Sequence, residues 1–282
     1  MNPPLHGMPA GQVAPIILTT AAISIPGQGA VSMADVDELR QLVSQSCRIL
    51  GKENMTREPA GHVSARIPGT DRIVIKARGP GEAALRYTMP ADCMIVDMDG
   101  KKVDGGAELS SPAEVFIHTW LYRTRPDVNC VIHVHPTNVV LFTICNRELL
   151  PLIGAYDPMA LQMVLEGIPR YPRSILISND QLGKDLAATI GSKNVCLMRG
   201  HGITAVGATV QEATITAWRL NDLAEINYRA ALLGNPEPIP DEDIEVFRNQ
   251  RRGGGRRGER TGDGPPEGAA PPRSTRTRRG TT

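Results

Sequence analysis

No apolar run of the 282-residue chain is long enough to cross a membrane. The longest candidate, Ile16 to Ile25, is ten residues closed by Pro15 and Pro26, and no Lys or Arg precedes Arg40. A secretory signal carries positive charge ahead of its apolar core, so this stretch does not read as one. Residues 1–31 are expected to form an N-terminal arm that packs on the body or on a neighbouring subunit. Paired cysteines are missing as well: Cys47, Cys93, Cys130, Cys145 and Cys196 are odd in number and show no C-x-x-C spacing. That argues against a disulfide framework or a thiolate metal site, and suits buried thiols in a soluble cytoplasmic protein. Any metal ligands must then be nitrogen and oxygen.

From residue 251 onward the chain has no Val, Ile, Leu, Phe, Tyr or Trp, so nothing offsets the entropy of ordering it. Residues 251–282 are predicted to be a disordered tail. They carry nine Arg against three acidic residues, a net +6 beside +1 for the whole chain, which leaves the body mildly acidic. An Arg/Gly-rich tail without interleaved aromatics or an adjoining basic domain reads as a solvated segment, which argues against nucleic acid as a partner. Residues 32–250 are long enough for one domain with a sizeable core, and show no internal repeat.

Within that body, helical and extended patterns alternate. Ser32 with Asp35 resembles a capping box, followed by Val36, Leu39, Val43, Cys47 and Leu50 at helical spacing and by Gly51 as a stop. The runs HVSARI, RIVIKA and CMIVDMDGKKVDG read as strands, the last folded at Asp99-Gly100. SSPAEVFIHTWLYRTRPD reads as a helix with Ser111 as N-cap, Pro112 at the first position and Glu114 at the third. NCVIHVH is a strand leading into the helix TNVVLFTICNREL. NVCLMRGHGITAVG is two short strands around a glycine-flanked turn, followed by a long helix capped by Thr209 and Glu212 and stopped at Gly234. Few crossovers have strand–helix–strand regularity, so the pattern predicts a mostly antiparallel sheet with helices on its faces.

The strand period of two places His133 and His135 on one face, with Ile132 and Val134 on the other. Two imidazoles on one face can converge on one ion, and His201, between Gly200 and Gly202, has a backbone free to approach another group. Three histidines arranged facially leave positions open for water or substrate. Glu114 reads equally as a helix cap, an oxygen ligand or a base beside a metal. His118, one turn on, reads as a packing or supporting partner.

In the contexts AEVFIHTWLYRTRPDVNCVIHVHP, LMRGHGITAVG and GHVSARIPG, the set Glu114, His133, His135 and His201 resembles the class II aldolase/adducin family over about residues 35–235. The resemblance implies an α/β fold, a three-layer α/β/α domain with a mostly antiparallel central sheet. It implies a homo-oligomer, commonly a homotetramer, with active sites between subunits and a divalent metal held by His133, His135 and His201. It assigns Glu114 as the acid/base carboxylate, and places Tyr156 near a tyrosine that assists from a neighbouring subunit.

Two departures bear on the substrate. Phosphosugar aldolases of the family carry Gly-Asn where this chain has Gly61-His62, and a Ser-Ser pair where it has Pro112-Ala113. A phosphate needs several converging donors, so the loss of these argues against a phosphorylated sugar. Arg78 in KARGPGEAALRY offers instead a planar fork suited to a carboxylate, with a structural salt bridge as its other reading.

In overall look the chain is most similar to the oxygenase branch of the family. That branch implies Fe(II), dioxygen and an aromatic keto-acid substrate, a prenylated 4-hydroxyphenylpyruvate converted through the mandelate to a 3-prenyl-4-hydroxybenzoate in aminocoumarin antibiotic formation. A Zn(II)- or Mn(II)-dependent lyase, an aldolase or aromatic-acid decarboxylase, is the alternative. A non-catalytic adducin-type module is the third reading, and is expected to lack the metal histidines that are present here.

Overall fold

The computed structural model describes residues 32–57, 59–82 and 84–254. The expected N-terminal arm and all but four residues of the expected tail lie outside them. The elements in chain order are α1 (Met33–Lys52), β1 (His62–Arg66), β2 (Arg72–Lys76), β3 (Cys93–Asp97), β4 (Lys102–Asp104), α2 (Val115–Thr124) and β5 (Cys130–Val134). Then follow α3 (Thr137–Ile144), α4 (Pro158–Leu165), β6 (Arg170–Tyr171), α5 (Asp180–Ile190), β7 (Val195–Met198), β8 (Gly202–Gly207) and α6 (Val210–Leu233). Helix α7 (Asp241–Gly254) belongs to a second unit that begins at Ile239. The unit holding the sheet thus ends at Pro238, ahead of the boundary read at residue 250, and α7 runs four residues into the Arg/Gly segment. Extending an existing helix costs little per residue, which lets it outrun its apolar anchor.

One eight-stranded sheet, in the order β4-β3-β2-β1-β5-β8-β7-β6, organises the first unit. Every pairing is antiparallel except that of β6 with β7. Side-chain alternation divides the core into two layers. Ile132, Val134, Val63, Ala65, Ile203 and Ala205 pack with α1, α3, α4 and α6, whereas Val131, Val206, Ile73 and Ile75 pack with α2 and α5. Three layers result, as expected, and His133 points to the α2 and α5 side. No described helix is long and apolar enough to cross a membrane. Four of the five thiols are buried and all five are free.

Local signals set most boundaries. Ser32 and Asp35 form the full capping box of α1. Thr209 accepts from Glu212 N at the start of α6, while Glu212 returns to Ala208 N rather than to its cap residue. Gly100 takes φ +77° at the turn between β3 and β4. Two expectations fail. Helix α2 starts at Val115, not after Ser111, because the Ser111 hydroxyl donates instead to the Gly100 carbonyl at 2.7 Å. Gly51 does not stop α1, which continues to Lys52. Glycine is needed there for space: an added Cβ would stand 2.4 Å from Arg86 N and 2.8 Å from Arg86 Cα, in the 3-10 turn Leu85–Tyr87 that packs on α1.

This position separates two effects of opposite sign. Gly51→Ala gains about 1 kcal/mol in helix propensity but overpacks against backbone, typically about 1–3 kcal/mol. The contact is with main chain rather than a movable side chain, so a net loss of about 1–2 kcal/mol is expected in urea unfolding. A variant more stable than the parent contradicts the packing account.

Candidate metal centre

The centre of the sheet brings β5 between β1 and β8. His133 is paired across the strands with His62 on β1 and Thr204 on β8. Its Nδ1 donates to the Ile203 carbonyl oxygen at 2.9 Å. That bond fixes the tautomer and leaves Nε2 as a lone pair. His135 follows directly on the last residue of β5, with Nε2 2.9 Å from His133 Nε2. Two such nitrogens at that distance need a proton or a cation between them.

His201 arrives from the turn between β7 and β8. Gly200 there takes φ +58°, and a Cβ on Gly202 would stand 2.3 Å from the Val134 carbonyl oxygen and 2.7 Å from His135 Cδ2. Both flanking glycines are therefore required by backbone conformation or close approach, as expected. The three rings form a nearly equal triangle, with centroid separations of 4.7, 4.9 and 5.0 Å.

Glu114 completes the group. It precedes α2 but makes no capping bond with its side chain, so the cap reading falls. Its Oε1 accepts from Ile177 N at 2.9 Å, and Oε2 lies 3.4 Å from His133 Nε2 and 3.5 Å from His201 Nε2. The later start of α2 is what turns this carboxylate into the site instead of back along the helix.

The donor set fits a divalent cation. One ligand atom from each of Glu114, His133, His135 and His201 lies within 4.8 Å of all the others. Both ring nitrogens of His201 are buried without a hydrogen-bond partner, with Glu114 Oε2 3.5 Å from Nε2. Burial, with the neighbouring His133 and His201 rings adding to it, pushes His135 down to about 3, so it is neutral at pH 7 as a ligand must be. Burial pushes Glu114 up, but the neighbouring His133 and His201 outweigh it and hold the carboxyl well below its usual range. Nitrogen and oxygen donors of this kind suit zinc, iron and manganese alike.

A cavity of about 200 Å³, partly open to solvent, lies over Glu114 and His135. Its wall carries His62, Lys76, Arg78 and Glu82, and Pro112 and Ala113 are among its other lining residues. Arg78 thus lines the cavity while also satisfying its structural reading: its Nε donates to Glu82 Oε2 at 3.2 Å, and its side chain remains 55% exposed. Glu82 Oε1 takes the nearly buried Lys76. Sequence reasoning passed over both Lys76 and Glu82, although a lysine closing the apolar run RIVIK was a usable signal. Tyr156 is 70% exposed in the turn ahead of α4 and is not brought to the cluster within one chain.

Beneath the cavity runs a buried polar chain that sequence reasoning saw only in part. His62 Nδ1 lies 2.6 Å from His118 Nε2, His118 Nδ1 2.7 Å from Ser64 Oγ, and Ser64 Oγ 2.8 Å from Tyr122 OH. His118 is the supporting partner it was expected to be, acting on His62 rather than on Glu114. Burial, with the neighbouring His133 adding to it, pushes His118 down to about 3.

Comparison with known proteins follows the same lines. Residues 41–228 match the model of the class II aldolase and adducin N-terminal domain. A 3,4-dihydroxyphthalate decarboxylase of Terrabacter sp. (strain DBF63) is 35% identical over 214 residues, 74% of this chain and 88% of that protein. A 4-hydroxy-3-prenylphenylpyruvate oxygenase/4-hydroxy-3-prenylbenzoate synthase of Streptomyces roseochromogenus subsp. oscitans is 30% identical over 54% of each chain. Among solved structures, an aldolase II superfamily protein of Pseudomonas syringae superposes with a TM-score of 0.67 at 23% identity, over 77% of this chain and 85% of that one.

Because each imidazole occupies one corner of the triangle, His133→Ala, His135→Ala and His201→Ala should each lose most of the divalent metal retained after gel filtration, measured by elemental analysis. Gly202→Ala should lose it too, since the new methyl must displace His135. Normal metal content in two of the three histidine variants would mean that the centre lies elsewhere.

Proposed function

The chain belongs to the class II aldolase and adducin family, and on that premise we propose that it is a metal-dependent lyase that releases CO2 from a hydroxylated aromatic carboxylic acid of the dihydroxyphthalate kind. The observation that carries this is the cavity: Glu114 and His135, two of the four clustered metal-type donors, line it, Lys76 and Arg78 stand on its wall, and Pro112-Ala113 offers no hydroxyl pair for a phosphate. The longer and higher identity to a decarboxylase of such an acid supports the same substrate class.

A divalent ion held by His133, His135 and His201 would supply Lewis-acid charge that stabilises the electron pair left on the ring when the carboxyl group departs. The protein's own groups do the rest. Lys76 and Arg78 attract and orient the substrate carboxylates, Glu82 holding both in place beforehand. Glu114, fixed through Oε1 by Ile177 N–H, takes a phenolic proton on Oε2 and returns it to the ring carbon that loses CO2. The ring–carboxyl bond breaks, its electron pair stays on the ring, and the returned proton closes the balance. Tyr156, exposed on its own subunit, serves the site of a neighbour in a homotetramer under this reading.

The second reading is an Fe(II) oxygenase acting with dioxygen on a prenylated aromatic keto-acid, favoured by the 30% identity to such an enzyme over half the chain. It ranks behind the lyase because that similarity is lower and shorter than the one to the decarboxylase.

Oxygen separates the two. The protein loaded with zinc, manganese or iron should release CO2 from 3,4-dihydroxyphthalate under strict anaerobiosis, with no oxygen uptake on readmission of air. Oxygen-dependent turnover of an aryl-pyruvate without anaerobic CO2 release would establish the oxygenase. Glu114→Gln should keep the Ile177 bond, the fold and the metal, yet slow turnover roughly a hundredfold or more, the usual size of a lost acid/base contribution.

A further inference from the structure

The buried chain from Tyr122 to His62 has a direction, and the direction fixes what His62 shows to the cavity. Tyr122 is 3% exposed and fully inside the α2 layer, so its hydroxyl proton must be given to an acceptor. Among the described residues that acceptor is Ser64 Oγ at 2.8 Å. Ser64, fully buried, then has its own proton left for His118 Nδ1 at 2.7 Å. With Nδ1 of His118 accepting, the ring proton sits on Nε2 and is donated to His62 Nδ1 at 2.6 Å. His62 Nδ1 is thereby an acceptor, and its proton resides on Nε2. The opposite direction would strand the Tyr122 proton in the core. His62 lines the cavity, and with Nδ1 turned to His118, Nε2 is the nitrogen left to face it.

Resting on the lyase reading above, we propose that His62 is a substrate-binding residue that presents a fixed Nε2–H donor to an anionic oxygen of an aromatic acid, and that Tyr122, Ser64 and His118 are positioning residues that hold the proton there. The arrangement selects an acceptor: a carboxylate or phenolate oxygen is bound, while a donor group such as an ammonium is refused. It also complements the cavity chemistry. Lys76 and Arg78 offer charge on one wall, already shared with Glu82, whereas His62 offers a neutral, directional donor beside the metal-binding imidazoles.

The test uses zinc-loaded protein and phthalate, an aromatic dicarboxylate without hydroxyls to react. Long-range nitrogen–proton NMR of the imidazoles should show His62 protonated on Nε2 and His118 also on Nε2. Tyr122→Phe removes the head donor and should shift or mix these tautomers while leaving the zinc content unchanged. Calorimetry should show phthalate binding weakened about tenfold or more in His62→Phe, the scale of one hydrogen bond to a charged acceptor. His62→Gln, which retains an N–H donor, should recover part of it. Tyr122→Phe should weaken phthalate several-fold. A His62 ring with its proton on Nδ1 would overturn the proposal, as would phthalate affinity indifferent to His62→Phe. Because neither readout needs turnover, failure of CO2 release with these results intact would sink the lyase reading and leave the donor assignment standing.

Discussion

Four electron-rich atoms crowded into one buried spot are the constraint around which this structure is arranged. Three imidazole nitrogens and a carboxylate oxygen lie within 4.8 Å of one another at the middle of the sheet. Burying such groups without compensation is costly, and a divalent cation is the natural compensation. The surrounding architecture serves the same spot. The pairing of β5 with β8 supplies the Ile203 carbonyl that sets the His133 tautomer. The glycines around His201 let β8 pass within contact of His135. Ser111 leaves the helix-cap role for the Gly100 carbonyl, and α2 starts late enough to aim Glu114 inward.

Under the proposed function the cavity around that centre sorts substrates by charge and by hydrogen-bonding direction. Lys76 is nearly buried and balanced by Glu82, so an arriving carboxylate competes with a carboxylate already in place rather than meeting bare charge. A site of that kind would bind by exchange, which favours a rigid, preorganised acid over a flexible one. The absence of hydroxyls at Pro112-Ala113 and the imidazole at His62 both move it away from phosphate chemistry. A purely structural module of this fold would have no reason to keep four donors convergent and a buried polar chain directed at the cavity.

Much of this was legible in the residues. The two-residue strand period put His133 and His135 on one face, and glycines on both sides of His201 marked a close approach. Capping signals gave α1 and α6. What failed did so because a local rule was outcompeted by a partner from another element of the fold. Ser111, Pro112 and Glu114 satisfy every local requirement of a helix start, yet Gly100, in the turn between β3 and β4, takes the hydroxyl. Gly51 looked like a helix stop and is instead a packing site for Arg86. Helices α4 and α5 went unread even though Asp157 with Pro158 and Asn179 with Leu182, Leu186 and Ile190 carry caps and spacing; they are short and lie among prolines and loops. His62 was legible only as a departure from a family pattern, because its role depends on His118 and Ser64, residues brought to it by tertiary packing.

The most direct test of the account is X-ray absorption spectroscopy at the metal edge of the purified, metal-loaded protein. The account predicts an all nitrogen and oxygen shell at roughly 2.0–2.2 Å for zinc, with multiple-scattering features of three imidazoles. A shell containing sulfur, or one fitted by fewer than three imidazoles, would contradict it.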